Sequence, residues 1–243
     1  MSKKTSHLSN LFELNQQIRH NWNNNVLIRA SDLEQETDYS YINYIKPWVI
    51  NKVLSHTDIN STIIDIGCGC GYLTNIVYEC GRNNICGVDI SESSILYSQN
   101  KYPDIPFVCK DICELNSLKK FDLCLAIMVV NNMPNIEEFF KSTRRLLLPS
   151  GKILVVLPHP CFWPKHHLNQ KEYCYFKEVP YEFHFATKGR SDYIAHILYF
   201  HRTLETYLDN IQKAGFQVTD FEEMFETETQ TEPDILCMEL ELL

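Results

Sequence analysis

The chain has 243 residues, 44% hydrophobic and 22% charged, enough for one α/β domain with an elaboration and a core that needs no covalent staple. Twenty-two Lys and Arg against thirty-one Asp and Glu leave a formal charge of −9, the wrong sign for tracking phosphates, which argues against nucleic acid as a partner. Ten scattered cysteines, no secretory signal and no apolar run approaching the roughly 20 residues of a membrane span lead us to expect a soluble, cytoplasmic protein with reduced thiols and no membrane partner.

Residues 1–7 are polar and expected to be disordered. Apolar residues at 8, 11, 12, 14, 18 and 22 suit an amphipathic helix over 8–28, interrupted by Asn23-Asn24-Asn25. Residues 29–38 read as a loop, and 39–54 as a second helix whose Tyr41, Tyr44, Ile45, Trp48 and Val49 form an aromatic-rich face. Residues 1–58 are thus expected to be a helical cap ahead of a second unit over 59–243.

That unit opens on Ile63-Ile64-Asp65-Ile66-Gly67-Cys68-Gly69-Cys70-Gly71-Tyr72-Leu73-Thr74. A β-branched run enters a turn with glycine at alternate positions, and a helix-compatible segment leaves it. Glycines there permit positive φ and remove the Cβ atoms that keep a ligand off the main chain. The dinucleotide fingerprint G-x-G-x-x-G needs a glycine where this chain has Tyr72. Cys68-x-Cys70 and the Cys109/Cys113 pair lack zinc-site spacing and a second half, so no metal is expected.

Further strand tips follow in order. Residues 85–89 form a second strand ending on Asp89, whose carboxylate is suited to both hydroxyls of a ribose, with Ile90 beside it and a helix from Ser91 to about residue 100. Residues 107–110 form a third strand ending at Asp111-Ile112. Residues 121–127 form a fourth, leading into the loop 128–134; a helix over 136–147, a turn at 149–151 and a fifth strand over 152–157 come next. The last helix starts at His201 and stops at Gly215, and strands over 216–221 and 235–242 close the chain.

The string D-x-G-x-G-x-G, with acids after the next two strands, resembles class I S-adenosylmethionine-dependent methyltransferases. His159-Pro160-Cys161-Phe162, His201-Arg202-Thr203-Leu204 and Ala214-Gly215-Phe216 are similar to a bacterial small-molecule branch of that class. The resemblance covers about residues 60–243. It implies a Rossmann-like α/β fold: a seven-stranded, mostly parallel sheet with an antiparallel last strand and helices on both faces. The N-terminal helical segment would close over S-adenosyl-L-methionine, so Trp22, Arg29, Tyr41 and Tyr44 are candidates to meet ligand. Asp65, Gly67, Cys68, Gly69 and Gly71 would hold the cofactor at the first strand, and Asp89 and Ile90 at the sugar. Asp111 would take the exocyclic amine of adenine, Ile112 its ring, and Ala126, Ile127 and Met128 the methionine end. Asn131 and Asn132 would face substrate, and no Pro-Pro-aromatic sequence of amino-methylating DNA enzymes follows them.

Residues 158–200 hold eleven aromatic residues, with alternation at Tyr181, Phe183 and Phe185 that suits a hairpin. An insertion there lies above the carboxyl edge of the sheet, so we expect a lid and acceptor pocket, with Phe162 and Trp163 as substrate contacts. The expected activity is in-line transfer of a methyl group to N, O or C of a small, apolar or aromatic metabolite, with orientation as the main source of rate. His159 and His201 are the candidate general bases. A non-catalytic cofactor-binding regulatory module and a nicotinamide-dependent oxidoreductase remain as alternatives, the latter disfavoured by Tyr72.

Overall fold

The computed structural model describes residues 2–115, 118–168, 173–185, 194–225 and 231–243; for 2–10, 183–185 and 194–196 it describes the backbone alone. Five strands, β1 (Ile63–Ile66), β2 (Ile85–Asp89), β3 (Phe107–Cys109), β4 (Phe121–Ile127) and β5 (Leu147–Pro158), run parallel, and β8 (Phe216–Met224) and β9 (Ile235–Leu242) complete one sheet of order β3-β2-β1-β4-β5-β9-β8. Only β9 runs opposite to the other six strands of the sheet: it is antiparallel to both β5 and β8. The order reverses between β1 and β4, the switch point outside which open α/β sheets bind ligands.

The central strands read as unbroken apolar runs because both their faces are covered. Ile63, Leu123, Leu125, Leu154 and Val156 pack toward α2 (Lys46–His56), α3 (Tyr72–Glu79) and α4 (Glu92–Lys101), meeting Val49, Leu73, Val77 and Ile95. Their alternate neighbours, Ile64, Cys124, Ala126, Ile153 and Val155, pack toward α5 (Ile136–Leu146) and α7 (Leu204–Lys213), meeting Phe139, Phe140, Tyr207 and Ile211. Each of those buried aromatics contributes roughly 1.5–3 kcal/mol. Three helices, α4, α5 and α7, start on side-chain caps: Ser91, Asn135 and Thr203 each accept from the backbone N–H three residues on.

The N-terminal segment departs most from expectation. A single helix, α1 (Ser2–Glu34), replaces the disordered start, the break at Asn23–Asn25 and the loop from residue 29. Tertiary partners hold it. Asn23 Oδ1 accepts from Ser91 Oγ and Ser93 N at 2.8 and 3.1 Å, Asn25 is buried, and Ala30 and Leu33 pack in the core. Glu34 accepts from Tyr97 Oη at 2.7 Å and pairs with Lys101. The second expected helix is divided: Tyr41–Ile45 is a π-helical turn and α2 begins at Lys46. Pro47 has no N–H to offer residue 43, and the wider turn absorbs that loss.

After β5 comes the short helix α6 (Trp163–His167), then a two-stranded antiparallel sheet of β6 (Pro180–Phe185) and β7 (Ile194–Phe200). This hairpin rests on α1, with Leu198 and Phe200 against Ile18. Two boundaries shift: the expected turn at 149–151 lies within β5, whose register to β4 slips between Phe121 and Leu123, and α7 starts at Leu204 rather than His201. Among the described residues no helix is long and apolar enough to cross a membrane.

Candidate active-site cleft

The tips of β1, β2, β3 and β4 surround a cavity of about 150 Å³, roofed by α1 through Asn15, Ile18, Trp22, Arg29 and Leu33. It is tighter than the roughly 300–1,000 Å³ of ligand clefts because α1 lies directly on the strand tips.

Its floor is the glycine turn. Gly67, at φ 74°, tucks under Val129, where an added Cβ would stand 2.5 Å from Val129 Cγ2. Gly69, at φ 52°, differs: a Cβ there would meet nothing within 4 Å, so bare main chain borders open space. Gly69 N donates to Asp89 Oδ2 at 2.9 Å, and Ser91 N donates to Asp89 Oδ1 at 2.8 Å. Each Asp89 oxygen therefore keeps a lone pair for a further donor. Burial pushes the Asp89 carboxyl up, opposed by the N–H groups of Ser91, Gly69 and Ile90. Asp65, buried at the end of β1, accepts from Thr74 Oγ1 at 2.6 Å; burial raises its carboxyl to about 7 against that hydrogen bond, and Asp89 adds to the rise.

At the far tip Asp111 Oδ1 caps the next turn by accepting from Cys113 N at 2.9 Å, and its Oδ2 accepts from Asn15 Nδ2 at 3.0 Å. Arg29 stands at the opposite end, 2.5 Å from Asp38 and over the Tyr41 ring at 5.2 Å. Burial works against its charge, and Asp38 more than restores it. Met128 leaves β4 at φ 58°, a left-handed conformation that costs a non-glycine residue roughly 1–2 kcal/mol and turns the chain along the cleft.

Of the residues singled out from sequence, Asp65, Gly67, Cys68, Gly69, Asp89, Ile90, Asp111, Ile112, Ile127, Met128, Tyr41 and Asn132 line the cavity, as do Trp22 and Arg29. The others do not. Gly71 caps α3 beneath Phe107, and Ala126 is sealed within β4. Tyr44 faces an outer groove with Trp48 and Lys52. Asn131 donates to Asn132 Oδ1, and Asn132 donates to Leu198 O, both at 2.8 Å, so this pair pins the hairpin to the loop after β4. Trp163 stacks on His167 and Phe162 packs on His159.

The two histidines differ. His159 is engaged at both nitrogens: Nε2 lies 2.8 Å from Glu223 Oε1, and Nδ1 accepts from Cys161 N at 3.2 Å. His201 donates from Nε2 to Tyr175 O at 2.9 Å, which fixes the tautomer and leaves Nδ1 a bare lone pair, buried and without a partner among the described residues. Burial lowers the pKa of each ring. Sequence reasoning missed Asn15, Leu33 and Lys110, which also border the cavity. Lys110 is the one with a local signal, adjoining the acid after β3. No cluster of His, Cys, Asp and Glu able to hold a metal occurs among the described residues.

Residues 64–155 match the family described as "Methyltransferase domain". The chain is 31% identical over 97 residues to the ubiquinone biosynthesis O-methyltransferase of Bradyrhizobium diazoefficiens, covering 38% of each chain. It is 27% identical over 157 residues to the trans-aconitate 2-methyltransferase of Shigella dysenteriae, covering 64% of this chain and 56% of that one. The alignments thus span well under two thirds of either relative's length. A solved S-adenosylmethionine-dependent methyltransferase from Clostridium acetobutylicum superposes with a TM-score of 0.67 at 16% identity, over 90% of this chain and 98% of that chain. Residues 64–155 thus carry the match to a methyltransferase domain, and the whole chain shares its α/β fold with a solved S-adenosylmethionine-dependent methyltransferase.

Proposed function

We propose that the chain transfers a methyl group from S-adenosyl-L-methionine to N, O or C of a small, apolar or aromatic metabolite. The observation that carries the reading is the convergence of three carboxyl groups, Asp65, Asp89 and Asp111, from successive strand tips on one cavity whose floor at Gly69 is bare main chain. Independent turns have no reason to bring those groups together. The residues fit the cofactor: Asp89 has lone pairs for two sugar hydroxyls, Asp111 and the Ile112 backbone suit a purine edge, and Arg29 and Asp65 suit a zwitterionic tail. An acidic cleft also favours a sulfonium cation.

When bound, the cofactor supplies a methyl group on positively charged sulfur, which passes to the acceptor's lone pair as the sulfur–carbon bond breaks. The protein's share is orientation and exclusion of water. Ile18, Trp22 and Leu33 of α1 close one side in apolar surface, and Met128 and Asn132 border the side toward the hairpin. Holding two reactants in line supplies roughly 7–11 kcal/mol, against roughly 3–5 for a general base. Where the acceptor must lose a proton, His201 is the residue prepared to take it, through Nδ1; His159 has both nitrogens engaged. Both lie outside the present cavity, His201 among Tyr173, Tyr175, Tyr181 and Tyr199. We assign the insertion of residues 158–200, which includes His159, as the acceptor side of the domain over 59–243, with residues 1–58 as its cap.

Calorimetric titration with S-adenosyl-L-methionine and S-adenosylhomocysteine tests the reading. Binding of both, lost in Asp89→Ala, is expected; no binding to the intact chain, or unchanged binding by the variant, overturns it. Methyl release from labelled cofactor across a metabolite panel separates the enzyme from a binding module.

A further inference from the structure

Asn15 lies ninety-six residues from Asp111 in sequence, yet its carboxamide donates to that carboxylate at 3.0 Å and borders the cavity. Asp111 Oδ1 accepts from Cys113 N and Oδ2 from Asn15 Nδ2, so each oxygen keeps a lone pair for a further donor, and Asn15 stands beside one of them. The Asn15 oxygen makes no hydrogen bond among the described residues. Around the pair, Ile18 from α1 and Ile90 and Ile112 from the sheet supply apolar surface bordering the same space. An acceptor carboxylate, a carboxamide with a free oxygen and a second amide hydrogen, and flanking aliphatic side chains are the parts of a site for a flat heterocycle bearing an exocyclic amine. A carboxamide is complementary to adenine in particular, accepting from the amine while donating to the adjacent ring nitrogen.

We propose that Asn15 is a base-reading residue of this enzyme: carried in by the N-terminal helix, it selects the 6-amino purine of the cofactor together with Asp111. The assignment rests on the cofactor reading above and adds to it a residue outside the matched domain, which begins at residue 64. It gives α1 a second task besides roofing the cleft. The Asp111 hydrogen bond orients the carboxamide, so its oxygen is presented to the amine before the ligand arrives, and the cost of ordering that side chain is met during folding rather than binding.

The test compares S-adenosylhomocysteine with S-inosylhomocysteine, in which the amine is replaced by a carbonyl and the neighbouring ring nitrogen gains a hydrogen. Both are titrated calorimetrically into the full chain and into Asn15→Ala and Asn15→Gln. Asn15 is partly exposed on α1, and alanine favours helix, so both variants are expected to melt within a few degrees of the parent. The intact chain should prefer the adenosyl compound by at least about tenfold. Asn15→Ala should lose about tenfold for the adenosyl compound and keep its affinity for the inosyl compound within about twofold, leaving only the preference that Asp111 supplies. Equal weakening toward both compounds makes Asn15 a roof contact and overturns the proposal. Tighter adenosyl binding by Asn15→Ala does so too, since the amide would then be occupying the amine's place on Asp111. Binding of neither compound to the intact chain removes the cofactor reading itself.

Discussion

Thr74 Oγ1 donates a 2.6 Å hydrogen bond to Asp65 Oδ2, tying the first turn of α3 back to the strand that feeds the glycine turn, and both residues are buried. Burial raises the Asp65 carboxyl from 3.8 to about 7, with Thr74 opposing the rise and Asp89 adding to it. Between those two values the folded chain holds a proton that the unfolded chain has released, so this group's contribution to stability falls as pH rises through that window. Asp65→Asn has no such titration. Its melting temperature relative to the parent should climb from pH 4 to pH 7 and level off above; a difference that is flat across the range excludes the buried, protonated carboxyl.

The two cleft glycines should fail in different ways. Gly67→Ala forces a Cβ against Val129 from a left-handed backbone, costing about 2–5 kcal/mol of stability by chemical denaturation. Gly69→Ala meets no neighbour and should cost only the roughly 1–2 kcal/mol of the backbone conformation. Its methyl group nevertheless stands in the space proposed for ligand, so the variant should fold and fail to bind S-adenosylhomocysteine. Full binding by folded Gly69→Ala would move the ligand elsewhere.

Glu239 lies on β9, next to the far edge of the sheet, where Oε1 accepts from Lys152 at 2.6 Å and Oε2 from His56 and Lys52 at 2.8 and 3.2 Å. Burial alone would raise this carboxyl, yet the three donors hold it at about 2. Its contribution is therefore present above 4.5 and lost as pH falls toward 2. Glu239→Gln should cost about 1–3 kcal/mol at neutral pH, less below pH 4.5, and should leave cofactor affinity unchanged. A lost affinity would show that this edge communicates with the cleft.

On the reading proposed above, Arg29 meets the carboxylate of the cofactor's amino-acid tail. Arg29→Met should then weaken S-adenosyl-L-methionine by about 10- to 100-fold and its decarboxylated analogue far less, both measured calorimetrically. Equal losses for the two ligands would make the Arg29–Asp38 pair a support for the roof instead.

The sheet was legible because its signals are local. Buried parallel strands read as apolar runs, the turn after β1 needs residues free of Cβ, and acids at Asp89 and Asp111 fall one per strand tip. The roof was not. The asparagines at 23–25 read as a helix break because isolated carboxamides compete with helical backbone. In the folded chain Asn23 instead spends its oxygen on the start of α4, and α1 runs on to Glu34. Likewise a histidine in sequence carries no tautomer: the Tyr175 carbonyl and Glu223 are what distinguish His201 from His159.

Periodicity and turn chemistry, which act over a few neighbouring residues, thus determined the sheet and its order of acids. What covers the strand tips, which donors the Asp89 and Asp111 oxygens already hold, and that Asn15 reaches Asp111 were decided by packing between segments far apart in the chain. Those contacts depend on where whole elements come to rest, and no short stretch of residues encodes that.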